Sequence, residues 1–109
     1  MAYDELLAGR VRDTLAARAD VSERKMFGGI AFLIAGNMAC GVVGSDLMLR
    51  LGEDGADAAL DRPHVRPMDF TGRPMRTMVY VDAAGTDSPG ALRGWVEEAV
   101  GFASSLPAK

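Results

Sequence analysis

The chain has 109 residues, 49% of them apolar and 25% charged, a balance that suits one globular domain and excludes a disordered tract. Fifteen acidic against twelve basic side chains leave a net charge of −3, which argues against direct nucleic-acid binding, because phosphate neutralisation needs a basic surface. The single cysteine, Cys40, excludes an intrachain disulfide, and the first residues carry no basic stretch followed by an apolar one, so the expectation is a reduced, cytoplasmic protein without a secretory leader.

Along the chain, Tyr3, Leu7, Val11 and Leu15 recur every four residues, which predicts an amphipathic helix over residues 3–19. Residues 22–27 read as a short extended lead-in, and Gly28-Gly29 bends the chain. The β-branched and aromatic run at 30–34 predicts a strand, Ala35-Gly36-Asn37 a turn, and 38–43 a returning strand. After Gly44-Ser45-Asp46 a third strand is expected over 47–51, with Leu47, Leu49 and Leu51 on one face and Met48 and Arg50 on the other. The apolar run through 30–43 is broken by Gly36-Asn37 and is too short to span a bilayer.

An alanine-rich stretch at 54–60 predicts a short helix that Arg62-Pro63 ends. Residues 64–74, with Pro67, Gly72 and Pro74, read as mostly loop, and 75–82 as a strand. Ser88-Pro89 then reads as the cap and first residue of a last helix carrying Leu92, Trp95, Val96, Ala99, Val100 and Ala103. The order predicts an α+β domain with an antiparallel sheet of about five strands and N-terminal, middle and C-terminal helices, one domain over 1–109.

Chemistry-bearing residues are few. One His and one Cys, 24 residues apart, give no metal-ligand spacing, so neither a metal nor a cofactor is expected. Cys40 lies in an apolar strand and reads as a small buried hydrophobe rather than a nucleophile. Gly28-Gly29 would expose backbone N–H groups to an anion, but a strand follows where a phosphate loop needs a helix, so a bend is the expectation. Residues 62–76 hold four Arg against one Asp, and Arg62, His64, Arg66, Arg73 and Arg76 could gather into an anion-binding patch or pair with Asp57, Asp61 and Asp69 at the surface. Arg50, inside a strand of Leu and Met, either faces solvent or pairs with a carboxylate across the sheet. Met38, Met48, Met68, Met75 and Met78 read as core, the more common outcome, or as an interaction surface, and if helices cover only one sheet face the other is open to a second copy of the chain.

Three runs of residues carry a family likeness. Arg24-Lys25-Met26-Phe27-Gly28-Gly29-Ile30-Ala31-Phe32-Leu33, then Gly36-Asn37-Met38 and Leu47-Met48-Leu49-Arg50-Leu51, resemble the N-terminal domain of the TfoX/Sxy competence-regulator family. Arg66-Pro67-Met68-Asp69-Phe70-Thr71-Gly72-Arg73-Pro74-Met75, followed by a strand and a Trp-bearing helix, continues the resemblance over nearly the whole chain. The resemblance implies an α-β-β-β-α-β-β-α domain with a secretion-chaperone-like architecture, and regulators that work with a transcription activator rather than as enzymes. The sequence ends at Lys109, so a stand-alone domain without the family's helical C-terminal domain is expected.

The functional expectation is a non-enzymatic protein-interaction domain, a transcription- or competence-related regulator or adaptor with a protein partner, a transcription activator among the candidates, and possible homodimer formation. The alternative is a small-molecule or anion-binding module using segment 62–76. No catalytic residue is assigned, and no membrane contact is expected. Candidate interaction or anion-binding residues are Arg24, Lys25, Phe27, Gly28, Gly29, Arg50, Arg66, Arg73 and Arg76.

Overall fold

The first helix starts where Asp4 turns its carboxylate back onto the chain. Its Oδ1 accepts from the backbone N–H groups of Leu6 and Leu7 at 2.9 and 3.1 Å, satisfying two of the donors that a helix start leaves open. The structure is a computed structural model that describes residues 3–26, 28–70 and 73–108, and within these every side chain except those at 69, 70, 73 and 74.

Helix α1 (Glu5–Thr14) is shorter than its periodicity predicts. Leu15, buried, already caps it, and Ala16, Ala17 and Ala19 beyond it are exposed. Alanine favours helix, but helical stability in a protein comes mainly from packing an apolar face, and these residues have none to pack. The chain instead turns and enters β1 (Val21–Met26), which sequence patterning shows only as an extended lead-in.

Strands β2 (Gly29–Ile34), β3 (Asn37–Val43) and β4 (Asp46–Arg50) form the expected meander, and α2 (Gly52–Ala59) follows directly. Residues read as mostly loop build β5 (Val65–Phe70), which pairs with β6 (Arg73–Val81). Pro67 is tolerated there because β5 lies at a sheet edge, and the pairing shifts register between Pro67 and Met68. A 3-10 turn (Ala83–Thr86) leads to α3 (Pro89–Ser104), where Ser88 Oγ accepts from Ala91 N–H at 3.2 Å and Pro89 opens the helix as the sequence predicts.

All strand pairs are antiparallel, in the order β1-β2-β3-β4-β6-β5. The architecture is α+β, in the order α-β-β-β-β-α-β-β-α. Among the described residues it has six strands instead of about five, because β1 joins the sheet.

The sheet separates two apolar clusters of different composition. On one side the helices contribute Leu7, Val11, Ala56, Leu92, Trp95 and Val96 against Phe32, Ile34, Leu47 and Leu49 of the strands. On the other side Ala31, Leu33, Met48, Met68 and Met78 are buried, with Met26, Met38, Val43, Met75 and Tyr80 packed around them. Every described methionine lies in this second cluster and none in the first. Met48 and Met68 are fully buried and Met78 is 3% exposed within one chain, so these positions need no second copy to cover them. Unbranched thioether chains can follow the irregular gaps of a sheet face that lacks the ridges of a packed helix.

Candidate functional site

Residues 27 and 28 connect β1 to β2, since Met26 and Gly29 are directly paired. Phe27 lies outside the described residues. Gly28 has φ 73°, a left-handed conformation that a side chain resists. A Cβ at Gly29 would collide with the Val42 carbonyl and lie 3.0 Å from its carbon. The two glycines therefore close a tight hairpin and let β2 approach the end of β3. Gly29 faces the Val42 backbone, and the element that follows is a strand and not the helix an anion loop requires.

The hairpin holds β1 at one edge of the sheet. Its residues Ser22, Glu23, Arg24 and Lys25 are all exposed. The register places Arg24 opposite Ala31, on the methionine side, and Lys25 opposite Ile30, on the helix side. Glu23 is engaged from α1: Arg12 Nε and Nη2 donate to its two carboxylate oxygens at 2.6 and 2.8 Å. The hydrogen bond from Arg12 holds the Glu23 carboxyl below its ordinary value, against a smaller opposing effect of burial. The same guanidinium lies 5.9 Å from the centre of the Phe32 ring. Arg24 and Lys25 have no ion-pair partner among the described residues.

The basic segment is divided among three carboxylates. Arg62 donates to Glu98 Oε2 at 2.8 Å, and His64 Nδ1 lies 3.3 Å from Asp82 Oδ1. Arg66 reaches across β6 to pair with Asp46 on β4, its guanidinium 5.2 Å from the centre of the Tyr80 ring. Tyr80 is flanked by this pair; desolvation first, then the Asp46 charge, push its phenol up, and Arg66 opposes them. Arg76 is exposed, and Arg73 opens β6 with its side chain outside the described residues. The carboxylates that meet Arg62, His64 and Arg66 come from α3, the end of β6 and β4, and not from the adjacent Asp57 and Asp61. Asp69 is among the side chains not described. Sequence spacing carried no sign of these pairings, which depend on β6 lying between β4 and β5.

Arg50 takes neither of its two expected positions. It is half-buried, its guanidinium 5.5 Å from the centre of the Phe102 ring on α3, with Nη1 3.5 Å from the Met38 carbonyl. Cys40 is fully buried in the helix-side core, and burial pushes its thiol up to about 12, so the nucleophilic thiolate is suppressed. His64 sits apart from it on an exposed turn with φ 69°. An open groove of about 420 Å³ runs between the end of α1 and α3, lined by Asp13, Arg18, Arg93 and Glu97, charges of both signs. Among the described residues no group of three or more His, Cys, Asp or Glu is arranged to hold a metal, and no helix is long and apolar enough to cross a membrane.

Two features define the class: an open antiparallel sheet backed on one side by three helices, and a glycine hairpin that presents a charged edge strand. Within that class, the family model of the TfoX N-terminal domain matches residues 13–103, and the chain belongs to the TfoX N-terminal domain family. No curated protein and no solved structure matches it.

Proposed function

We propose that this chain is a non-enzymatic protein-interaction domain, a regulator or adaptor of the competence-related type that engages a protein partner, with a transcription activator as the leading candidate. The observation that carries the reading is the exposed edge strand β1, which presents Arg24 and Lys25 beside a Glu23 already neutralised by Arg12. Membership of the TfoX N-terminal domain family supports a regulatory role. The acidic net charge favours action through a protein rather than on nucleic acid. At Arg62, His64 and Arg66 an anion would have to displace Glu98, Asp82 and Asp46, which weighs against that half of segment 62–76 as an anion site.

Affinity purification of the tagged protein from its own host tests this, run beside an Arg24→Glu/Lys25→Glu variant. A transcription factor or polymerase subunit retained by the native chain and lost by the variant supports the reading. Partners retained equally by both, or none at all, overturn it.

A further inference from the structure

An open sheet has two edges, and this one treats them differently. The β5 edge is interrupted: Pro67 lacks a backbone N–H, and the ladder shifts register beside it. The β1 edge pairs with β2 in continuous register from Val21↔Ile34 to Met26↔Gly29, without proline or bulge. Apart from that ladder and the helices, no backbone hydrogen bond among the described residues reaches 21–26. In an antiparallel pair alternate residues direct their N–H and C=O groups away from the partner, so β1 offers a row of unused donors and acceptors to a further strand.

A second copy of the chain is poorly matched to that edge. A two-fold axis through an antiparallel pair places one residue opposite its own mate. In the two registers of greatest overlap for Val21–Met26 that residue is Glu23 or Arg24; the second sets like charges directly opposite one another, which is destabilising, and the first brings two Arg12–Glu23 ion pairs side by side. A strand from another protein meets no such constraint. With Glu23 bound to Arg12, the charges left for an incoming strand are Arg24 on the methionine side and Lys25 on the helix side.

From this we infer that β1 is a docking edge for an extended, acidic segment of a partner protein, which adds as a seventh strand beside the six of the sheet and sets carboxylates against Arg24 and Lys25. Main-chain hydrogen bonds hold the segment and the two cations select it. This rests on the interaction-domain reading above and specifies how the partner is recognised.

The test uses the whole chain and three synthetic peptides of about ten residues, long enough to match a strand of ordinary length. One alternates valine with glutamate, one valine with lysine, and the third is the glutamate peptide N-methylated at alternate residues. Amide hydrogen exchange is followed by NMR. The glutamate peptide is expected to slow exchange of alternate β1 amides by about tenfold or more and to bind about tenfold more weakly to Arg24→Glu/Lys25→Glu, while the other two peptides leave β1 unprotected. Unchanged melting of the variant shows that the loss is not unfolding. The inference is overturned if no peptide protects β1, if protection falls on β5, if the N-methylated peptide binds as well as its parent, or if light scattering shows a dimer whose contact protects β1. If those arms fail while a host partner is still lost by the charge-reversal variant, the interaction reading stands and strand addition does not.

Discussion

The guanidinium of Arg62 lies 3.7 Å from the centre of the Trp95 ring while its Nη1 donates to Glu98, one turn further along α3. A cation at this distance is attracted by the ring face, and the carboxylate fixes its orientation. One side chain thereby ties the connection after α2 to the outside of α3.

Replacing Arg62 by alanine is expected to lower unfolding free energy by about 1 kcal/mol, since the ion pair is half-exposed and the stacking adds a comparable amount. Arg62→Lys retains the charge but loses the planar fork and falls between the two. Trp95 is the only tryptophan, so its fluorescence in a urea titration reports the transition and the change of environment in one measurement. An alanine variant as stable as the native chain would show the contact to be energetically silent.

Cys40 links burial to alkaline stability. Its thiol is pushed to about 12 in the folded chain, while in the unfolded chain it ionises near its ordinary 9.0. The folded value is the higher one, so the stabilisation is complete below pH 9 and is lost as pH rises toward 12. The slope is at most about 1.4 kcal/mol per pH unit. Cys40→Ala should remove this component, so the difference between the two pH profiles isolates it. The native thiol should also resist a disulfide reagent until the protein is unfolded; rapid labelling of the folded chain would contradict the buried position.

Much of the architecture is legible in the residues because one face of each element is apolar. The 30–34 and 38–43 runs, the three leucines of β4 and the Trp95 helix all announce themselves by period. β1 does not, because Ser22 through Lys25 are exposed on both faces, and only pairing with β2 defines it as a strand. β5 was hidden by Pro67, a residue that rules out a central strand but not an edge. The methionines were legible as core from composition, but not their gathering on one sheet face, which depends on how the strand order places them side by side. The expected alternatives for Arg50 omitted an aromatic from a helix 52 residues away in sequence, Phe102.

Gly29 is expected to be among the least replaceable residues of the hairpin. An alanine methyl there meets the Val42 backbone, which cannot rotate aside as a side chain would, so β2 and β3 must separate or slip. The cost should exceed that of Gly28→Ala, where the space around a Cβ is open and only the left-handed backbone is strained, at about 1–2 kcal/mol. Thermal melts of the two variants rank them. A Gly28 variant less stable than the Gly29 variant would reverse the assignment.

The Arg12–Glu23 pair fastens the edge strand to α1, and its contribution should be visible as an acid-side effect. Arg12 holds the Glu23 carboxyl below its ordinary 4.5, so the pair stabilises the fold above that value and its contribution is lost as pH falls through the lowered one. The pair is partly exposed, which limits the effect at neutral pH to about 1 kcal/mol or less. Glu23→Gln should therefore be slightly less stable than the native chain at pH 7, and the two should converge in strong acid. Hydrogen exchange locates the effect: amides of β1 should open faster in the variant at pH 7, while those of β3 and β4 are unchanged. Uniform acceleration across the sheet would mean that the pair acts on global stability and not on the edge. A local effect would mean that Arg12 holds in place the strand that carries Arg24 and Lys25, so Glu23→Gln would loosen the edge while leaving those two cations unchanged.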